Sequence, residues 1–235
     1  MPSFSQRSYK KELLDGANIP FNAIKKNMEE LEYINQKLGG HRVTLHGIRK
    51  LVSPEKKTWD ICEIGSGGAD NLRAIQQWMH HNGYACVLRG IDINEACIAF
   101  AKEHPQDRHM QFIHSDYRQV KFDKKPDIIF SSLFCHHFTD EELVEQVQWM
   151  KEQSGVGFFI NDLHRHPLAF YSIKMLTHTF SQSELVKNDA PLSVLRGFRK
   201  TDWINIFNRA GIPNFNDTWH WAFRWLITYR HDKAL

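Results

Sequence analysis

The sequence has few cysteines, almost no excess of charge and no long hydrophobic run. Its four cysteines, Cys62, Cys86, Cys97 and Cys135, form no CxxC pair, which predicts reduced packing residues. With 30 basic and 27 acidic side chains, the chain lacks the charge signature of a nucleic-acid-binding protein. No apolar stretch approaches the ~20 residues of a membrane span, and no signal-peptide core is visible. These absences predict a cytoplasmic protein with no nucleic-acid partner and no integral membrane segment.

The apolar sequence that is present suffices for one large domain, since 42% of 235 residues are hydrophobic. Residues 1–52 read as a polar arm followed by two amphipathic helices, so we predict an N-terminal cover there. From Trp59 onward, short apolar runs alternate with helical patterns, which is typical of βαβ units around a parallel sheet. Residues 53–235 are therefore predicted to form the main domain.

Five strands and three helices are predicted in the first part of this domain. The strands are residues 59–64, 85–91, 110–113, 127–133 and 156–160, and the helices are residues 69–82, 94–104 and 139–152. Residues 164–198 have no clean period and are predicted to be a helical insertion that serves as part of the cover. A helix capped by Thr201 should follow, and two strands near 214–220 and 223–230 lie too close for a crossover, so they should pair antiparallel.

A glycine-rich loop follows the first strand, with Gly65, Gly67 and Gly68 within four residues. Such a strand–turn–helix unit lets a ligand approach bare backbone amides at a helix N-terminus. A dinucleotide fingerprint would need glycine where Asp70 stands, and that carboxylate would repel a diphosphate. Glu63, two residues before the first glycine, could instead accept from a ligand ammonium. The loop therefore suits an amino-acid moiety better than a diphosphate.

Acidic residues also end the next two strands. Asp92 stands 25 residues after Gly67, where a carboxylate can take both ribose hydroxyls, and Ile93 offers an apolar face to a purine. Asn94 suits the N-cap of the following helix better than Asp92 does. Asp116 could accept from an exocyclic purine amine, with Tyr117 packed nearby. These positions predict a nucleoside beside the glycine loop.

In this order, the motifs resemble those of class I S-adenosylmethionine (SAM)-dependent methyltransferases. Glu63-x-Gly65-x-Gly67-x-Ala69 resembles their glycine motif, Asp92 their ribose-binding acid, and Ser115-Asp116 their acid near adenine. Residues 127–138 resemble their fourth motif, in a form common among small-molecule enzymes of the menaquinone/ubiquinone type. Shorter stretches around 38–42, 161–167 and 193–198 look like a subgroup associated with polyketide or quinone-like pathways.

The resemblance covers residues 40–163 and implies a fold, a cofactor and a set of contacts. The implied fold is an α/β, Rossmann-like, seven-stranded and mostly parallel sheet with one antiparallel strand and helices on both faces. The implied cofactor is SAM, with S-adenosylhomocysteine as product. The predicted cofactor-binding residues are Glu63, Gly65, Ser66, Gly67, Asp92, Ile93, Asp116, Tyr117, Ser132 and Leu133.

The fourth strand is followed by His136 and His137, at the sheet edge where ligands bind in such folds. A base would help if the acceptor is a phenol, and the pKa of an imidazole suits proton transfer near neutral pH. His137 is predicted to be this base because it returns to the side of Leu133 after one helical turn. His136 would then point about 100° away, toward packing. The alternative is that one histidine packs and the other caps the next helix.

The acceptor is predicted to be a small aromatic, quinone-like or polyketide-like molecule, methylated on oxygen rather than carbon. The insertion 164–198 and the N-terminal cover should enclose it, because these are the only segments that do not belong to the sheet and its helices. Predicted contacts are His164, Arg165, Phe170, Tyr171 and Arg196, with Met175 and Leu176 adding apolar surface; a solvated, charged loop is the alternative for residues 164–166. The histidine spacing has no HExxH or CxxC logic, so no metal is predicted.

Two other functions remain open at this stage. One is a NAD-dependent oxidoreductase, against which Asp70 argues. The other is a non-catalytic SAM-binding protein, which would lack an acceptor cavity beside the sulfonium. The oligomeric state is open, with a homodimer as one option.

Overall fold

Seven strands in one sheet form the centre of the protein, in a computed structural model that describes residues 2–16 and 19–232. The strands are β1 (Thr58–Ile64), β2 (Ala85–Asp92), β3 (Gln111–His114), β4 (Ile128–Ser132), β5 (Gly157–Leu163), β6 (Asn216–His220) and β7 (Arg224–Arg230). Their order is β3-β2-β1-β4-β5-β7-β6. The first five are parallel, and β7 runs antiparallel to both β5 and β6. The predicted mostly parallel sheet with one antiparallel strand is confirmed.

Eight α-helices surround the sheet within the described residues. They are α1 (Phe21–Lys37), α2 (Gly40–Leu51), α3 (Asp70–His81), α4 (Glu95–Glu103), α5 (Asp140–Gln153), α6 (Pro167–Phe180), α7 (Glu184–Arg196) and α8 (Lys200–Arg209). The largest apolar cluster includes residues from α5 and α8, and a second one includes residues from α2 and α3. Every residue of β4 is buried, as expected for a parallel strand covered on both faces.

Local sequence signals fix most helix ends. Thr139 caps α5 and forms the predicted capping box with Glu142. The prediction that Thr201 caps the last helix is wrong: α8 already begins at Lys200, and the Asp202 carboxylate accepts from the backbone N–H of Arg199 at 2.7 Å. Gly211 follows that helix with a φ of +70°, which suits glycine as its stop.

The insertion after β5 is helical, as predicted, although its sequence has no clean period. It folds into α6 and α7, which pack on each other. The N-terminal segment lies against this pair: the backbone N–H of Ser8 donates to the carbonyl of Leu195 at 3.0 Å. Arg7 is buried and donates to the carbonyl of Arg196. The N-terminal segment, α1 and the α6–α7 pair therefore cover one edge of the sheet together.

Candidate active site

A cavity of about 1030 Å³ lies between this cover and the carboxyl ends of the parallel strands. β1 and β4 are neighbours at the centre of the sheet, and the chain proceeds from them in opposite directions. Ligands in open α/β sheets bind in the crevice at such a switch point. The fold therefore places a large ligand site where the glycine loop and the two histidines emerge.

The glycine loop is held in a conformation that needs its glycines. Gly65 has a φ of +66°, and a Cβ there would lie 2.1 Å from the Phe134 ring. The backbone N–H groups of Gly65 and Ser66 donate to the carbonyl of Ile91 at 2.8 and 3.1 Å. Gly67, with a φ of +49°, donates its N–H to Asp92 Oδ2 at 2.8 Å. These bonds tie the loop to the end of β2 and open its surface to the cavity.

Glu63 is a buried carboxylate that lines the cavity, and one of its oxygens has no hydrogen-bond partner among the described residues. Only 1% of the residue is exposed, and that oxygen is its Oε2 atom. Burial, and then the nearby charges of Asp70 and Asp92, raise its pKa well above the usual value. A ligand ammonium would supply the missing partner, because an unpaired buried charge is costly. Glu63 therefore fits the amino group of SAM.

Two buried polar groups on the same cavity wall are also unpaired. The hydroxyl of Ser66 and the amide nitrogen of Asn27, on α1, have no hydrogen-bond partner among the described residues. Both can donate, so they suit a ligand carboxylate next to the ammonium that Glu63 would hold. The sequence did not single out Asn27, which lies 36 residues before the motif and has no local signal.

Asp92 lines the cavity at the end of β2. Its oxygens accept from the N–H groups of Gly67 and Asn94, both at 2.8 Å, while burial outweighs these bonds and raises its pKa. Each carboxylate oxygen has a second lone pair, which leaves capacity for ribose hydroxyls. Ile93 is 69% exposed and lines the same wall, and Asn94 caps α4 as predicted.

The predicted adenine contacts lie outside the cavity lining. The Asp116 carboxylate is held by Arg118, with Nε at 3.0 Å from Oδ1, and the hydrogen bond lowers its pKa. Tyr117 is buried in the core, its ring centroid 5.0 Å from that of Trp149. From β3 the cavity instead receives His114, whose Nε2 lies 3.0 Å from the carbonyl oxygen of Ile93. The cofactor roles of Asp116 and Tyr117 stay predictions.

Ser132 and Leu133 reach the cavity from the end of β4. The Asn161 side chain donates to the Ser132 hydroxyl at 3.2 Å, and Leu133 donates its N–H to the Asn161 carbonyl at 2.9 Å. Asn161 is fully buried and also donates to the carbonyl of Gly40. This hydrogen-bonded unit fixes the turn that leads to the histidine pair.

His136 and His137 both line the cavity, with ring centroids 4.4 Å apart. The expected divergence assumed an α-helical turn, but Cys135–His137 is a short 3-10 helix that keeps the rings together. His136 Nδ1 lies 2.8 Å from Asp162 Oδ1, and His137 Nδ1 lies 3.1 Å from Asp15 Oδ1. Each imidazole is thus oriented by a carboxylate.

Those carboxylates differ in burial but share the direction of their pKa shifts. Asp162 is fully buried; burial opposes its ionisation, but the charge and hydrogen bond of His136 lower its pKa. Asp15 is partly exposed; burial again opposes, and the hydrogen bond and charge of His137 lower its pKa to about 2. Both acids therefore stay ionised beside their histidines near neutral pH.

Most predicted acceptor contacts lie outside the cavity lining. His164 accepts from Trp219 Nε1 at 3.1 Å, Arg165 is buried against the carbonyl of Gly197, and Arg196 donates to the carbonyl of His136 at 3.0 Å. Phe170 packs on Phe4, and Tyr171 is 52% exposed. Their acceptor roles stay predictions.

The actual apolar wall comes from α1, α6 and α7. Its residues are Ile24, Met28, Leu31, Ile34, Ile173, Leu176, Val186 and Val194. All of them lie in the two segments that are predicted to enclose the acceptor, but only Leu176 is among the individually predicted residues. Helical periodicity marks the α1 residues as an apolar stripe, but nothing local shows that the stripe faces a ligand.

Glu12 is the most informative residue that the sequence did not single out. It belongs to a segment that reads as a polar arm, yet it is 6% exposed and lines the cavity beside the histidine pair. Burial raises its pKa. The backbone N–H groups of Leu13 and Leu14 donate to the Asp189 carboxylate of α7 at 2.8 and 2.9 Å, which holds the segment in place.

Comparison with known proteins agrees with this geometry. Residues 61–157 match the family model described as a methyltransferase domain. A search of curated proteins finds no match. No helix in the described part of the chain is long and apolar enough to cross a bilayer.

Three solved structures share the fold at low identity. A candidate O-methyltransferase from Nostoc punctiforme has a TM-score of 0.59 and 12% identity, over 87% of this chain and 60% of that one. Magnesium protoporphyrin IX methyltransferase from Synechocystis, with SAM bound, has a TM-score of 0.56 and 11% identity. The match covers 92% of this chain and 100% of that one. Human N-acetylserotonin methyltransferase, in complex with SAM, has a TM-score of 0.63 and 16% identity. The match covers 90% of this chain and 56% of that one. The chain thus spans less than two thirds of the Nostoc and human proteins.

Residues 61–157 thus match a methyltransferase domain, and the chain has the fold of these three structures. The family match and the shared fold agree with the predicted methyltransferase and with SAM as its predicted cofactor.

Proposed function

We propose that the protein transfers the methyl group of SAM to a hydroxyl oxygen of a small, apolar acceptor, aromatic or quinone-like or polyketide-like. One observation carries this proposal: a single cavity joins the glycine loop to an apolar wall and a histidine pair. We name its two parts the cofactor half (Glu63, Gly65–Gly67, Asp92, Ile93) and the acceptor half (Glu12, His136, His137, Ile173, Leu176). At about 1030 Å³, the cavity is at the upper end of the ~300–1,000 Å³ of small-molecule sites, which suits two ligands.

The charge of the cofactor half favours SAM over NAD. Glu63 and Asp92 line it, and Asp70 stands at the N-terminus of α3, its Oδ2 2.7 Å from His41 Nε2. Three carboxylates would repel the diphosphate of a dinucleotide, whereas SAM brings an ammonium and a sulfonium. The oxidoreductase alternative is therefore disfavoured.

The acceptor half argues against a SAM-binding protein without catalysis. Its wall is apolar, and its polar groups are concentrated at Glu12 and the histidine pair. In the transfer, the acceptor oxygen bonds to the methyl carbon as the carbon–sulfur bond breaks, leaving S-adenosylhomocysteine. The hydroxyl proton passes to an imidazole Nε2, because Nδ1 of each ring is engaged by a carboxylate. This arrangement supports oxygen as the accepting atom and either histidine as the base.

The structural neighbours support a small-molecule acceptor without identifying it. The Synechocystis enzyme is named for magnesium protoporphyrin IX and the human enzyme for N-acetylserotonin. Both names describe molecules that contain aromatic rings. An acceptor of this general kind suits the wall formed by α1, α6 and α7.

Incubation with isotope-labelled SAM and a panel of phenols, hydroquinones and aliphatic alcohols tests the proposal. We expect mass spectrometry to detect label on the oxygen of apolar hydroxyl compounds. Ile173→Trp should raise the acceptor KM and leave the SAM Kd unchanged, because Ile173 lines the acceptor half. Leu168→Trp is the matched control, since Leu168 lies on the same helix but is 57% exposed and outside the lining. SAM binding without any labelled product across the panel would contradict the proposal.

The location and assembly of the protein are also proposals. All four cysteines are free and three of them are buried, which supports a reducing, cytoplasmic location. A homodimer stays an untested option, which sedimentation equilibrium would decide.

A further inference from the structure

Glu12, His136 and His137 form a compact group, here called the Glu12–His136–His137 cluster, at the acceptor end of the cavity. One ligand atom from each residue lies within 4.8 Å of the others, and no other such group occurs in the described part of the chain. His136 Nε2 lies 3.6 Å from Glu12 Oε1, and His137 Nε2 lies 3.8 Å from Glu12 Oε2. Two imidazole nitrogens and a carboxylate therefore converge from segments remote in sequence.

The protonation of the two rings follows from their outer contacts. An ionised carboxylate can only accept, so the Nδ1 atom facing Asp162 or Asp15 carries the proton. In the neutral imidazole, Nε2 then has a free lone pair directed at Glu12. A histidine whose Nδ1 donates to a carboxylate while its Nε2 is free is the usual state of a metal ligand. Both histidines of the cluster have this arrangement.

The spacing inside the cluster suits an ion better than direct hydrogen bonds. Separations of 3.6 and 3.8 Å exceed hydrogen-bond length. Donors at ~2.0–2.2 Å from one zinc ion in a tetrahedron lie roughly 3.3–3.6 Å apart. Glu12 is itself held in place, since the Ser193 hydroxyl donates to its Oε1 atom at 2.7 Å. The three groups therefore need little movement to share one cation.

A proton is the competing cation. If either imidazole were doubly protonated, it would form an ion pair with Glu12 and no metal would bind. Arg196 already lies close, with its Nε 3.9 Å from Glu12 Oε1. That guanidinium partly offsets the carboxylate, so the ion-pair form and the metal-bound form are true alternatives.

We propose that the cluster binds one divalent transition-metal ion of the zinc type. Two imidazoles and one carboxylate are a ligand set that such ions favour, and three protein ligands leave a coordination position open. That position would face the acceptor half of the cavity, where an acceptor oxygen could occupy it. The inference does not rest on the proposed methyl transfer, because binding requires only the three side chains.

Metal titration of EDTA-dialysed protein tests the site directly. We expect the protein to bind one Zn²⁺ per chain with micromolar or tighter affinity. When Co²⁺ replaces Zn²⁺, we expect visible d–d absorption bands, which indicate that the ion is coordinated with low symmetry. His136→Ala, His137→Ala and Glu12→Gln should each weaken binding at least about 10-fold, and Asp15→Asn about 10–100-fold, as expected for an outer partner. His164→Ala is the matched control, because His164 and His166 form another close ring pair, outside the cavity lining.

The results separate the metal site from the enzymatic proposal. Stoichiometric binding that these variants lose and His164→Ala keeps would support the site. Binding that is absent, or equal in all folded variants, would overturn it; Glu12→Gln and Asp15→Asn retain size and keep this test valid if an alanine variant fails to fold. SAM affinity and methyl transfer measured with EDTA report on the proposed function independently, because the Nε2 lone pairs are then free, whereas bound Zn²⁺ would occupy them and should slow proton acceptance by the histidines.

Discussion

In the cofactor half of the cavity, the groups that face a ligand come from one strand–loop–helix unit and the end of the neighbouring strand, and only Asn27 of α1 joins them from elsewhere in the chain. In the acceptor half they come from the N-terminal segment, α1, the turn after β4, and the α6–α7 pair. The first half is polar and fixed by short backbone bonds, and the second is apolar and held by long-range contacts. The acceptor specificity can therefore change through the cover while the cofactor half stays intact.

The largest effect should come from the histidine pair. Of His137→Ala and His136→Ala, the variant that removes the base should lower kcat about 10²–10⁴-fold, the usual contribution of a general base. The SAM Kd should hardly change, because neither residue belongs to the cofactor half. His81→Ala, at the exposed C-terminal end of α3, is the control. A kcat within a few-fold of wild type for both variants would remove the pair from catalysis.

Asp92→Ala should act on the opposite half. Loss of hydrogen bonds to a charged group costs about 1.5–3 kcal/mol, or roughly 10–150-fold in SAM affinity. Asp116→Ala should weaken binding only a few-fold, since Arg118 already engages that carboxylate. Calorimetric titration of both variants makes the comparison. An equal loss in the two would mean that Asp116 turns from Arg118 to the cofactor.

A smaller effect should separate two glycines with similar backbones. Gly65 and Gly83 have φ values of +66° and +73°, but only at Gly65 does a new Cβ meet a side chain, that of Phe134. Alanine at either position should cost ~1–2 kcal/mol for the left-handed conformation. Gly65→Ala should cost about 1–3 kcal/mol more, from overpacking. Urea unfolding measures both, and equal losses would show that Phe134 moves aside freely.

The smallest effect concerns His164, which directly follows β5 and lies outside the cavity lining. Burial, then the charges of His166, Arg199 and Arg165, lower its pKa to about 4. The folded protein thus prefers the neutral ring, so its contribution to stability is complete above the unfolded pKa of about 6.5. This contribution to stability is lost as the pH falls from about 6.5 toward 4.

His164→Asn keeps an acceptor for Trp219 Nε1 but cannot titrate in this range. Between pH 7 and pH 5, the urea midpoint of unfolding should therefore fall less in this variant than in wild type. Its kcat should match wild type, because His164 lies outside the cavity lining. A steeper pH dependence in His164→Asn would contradict the direction of this shift.

The sequence predicts the cofactor half well, because its motif is contiguous and glycine, acid and strand periodicity are local signals. The same signals predict the sheet and its antiparallel strand. The acceptor half depends on contacts between residues far apart in the sequence. Asp15 contacts His137, 122 residues away, and the Asp189 carboxylate accepts a hydrogen bond from the backbone N–H of Leu13, 176 residues away. No local pattern marks Glu12 as buried. The sequence predicts a helical insertion here but not the bounds of α6 and α7, because their apolar residues pack on several partners and leave no clean stripe.

We propose that the buried Glu63, whose Oε2 atom has no partner among the described residues, makes the cofactor half specific for SAM. Isothermal titration of S-adenosylhomocysteine and of NADH into wild type and Glu63→Gln tests this specificity. We expect micromolar binding of S-adenosylhomocysteine, about −8 kcal/mol, at least tenfold weaker binding in Glu63→Gln, and no binding of NADH. Binding of NADH by the wild-type protein, or equal affinity of wild type and Glu63→Gln for S-adenosylhomocysteine, would contradict it.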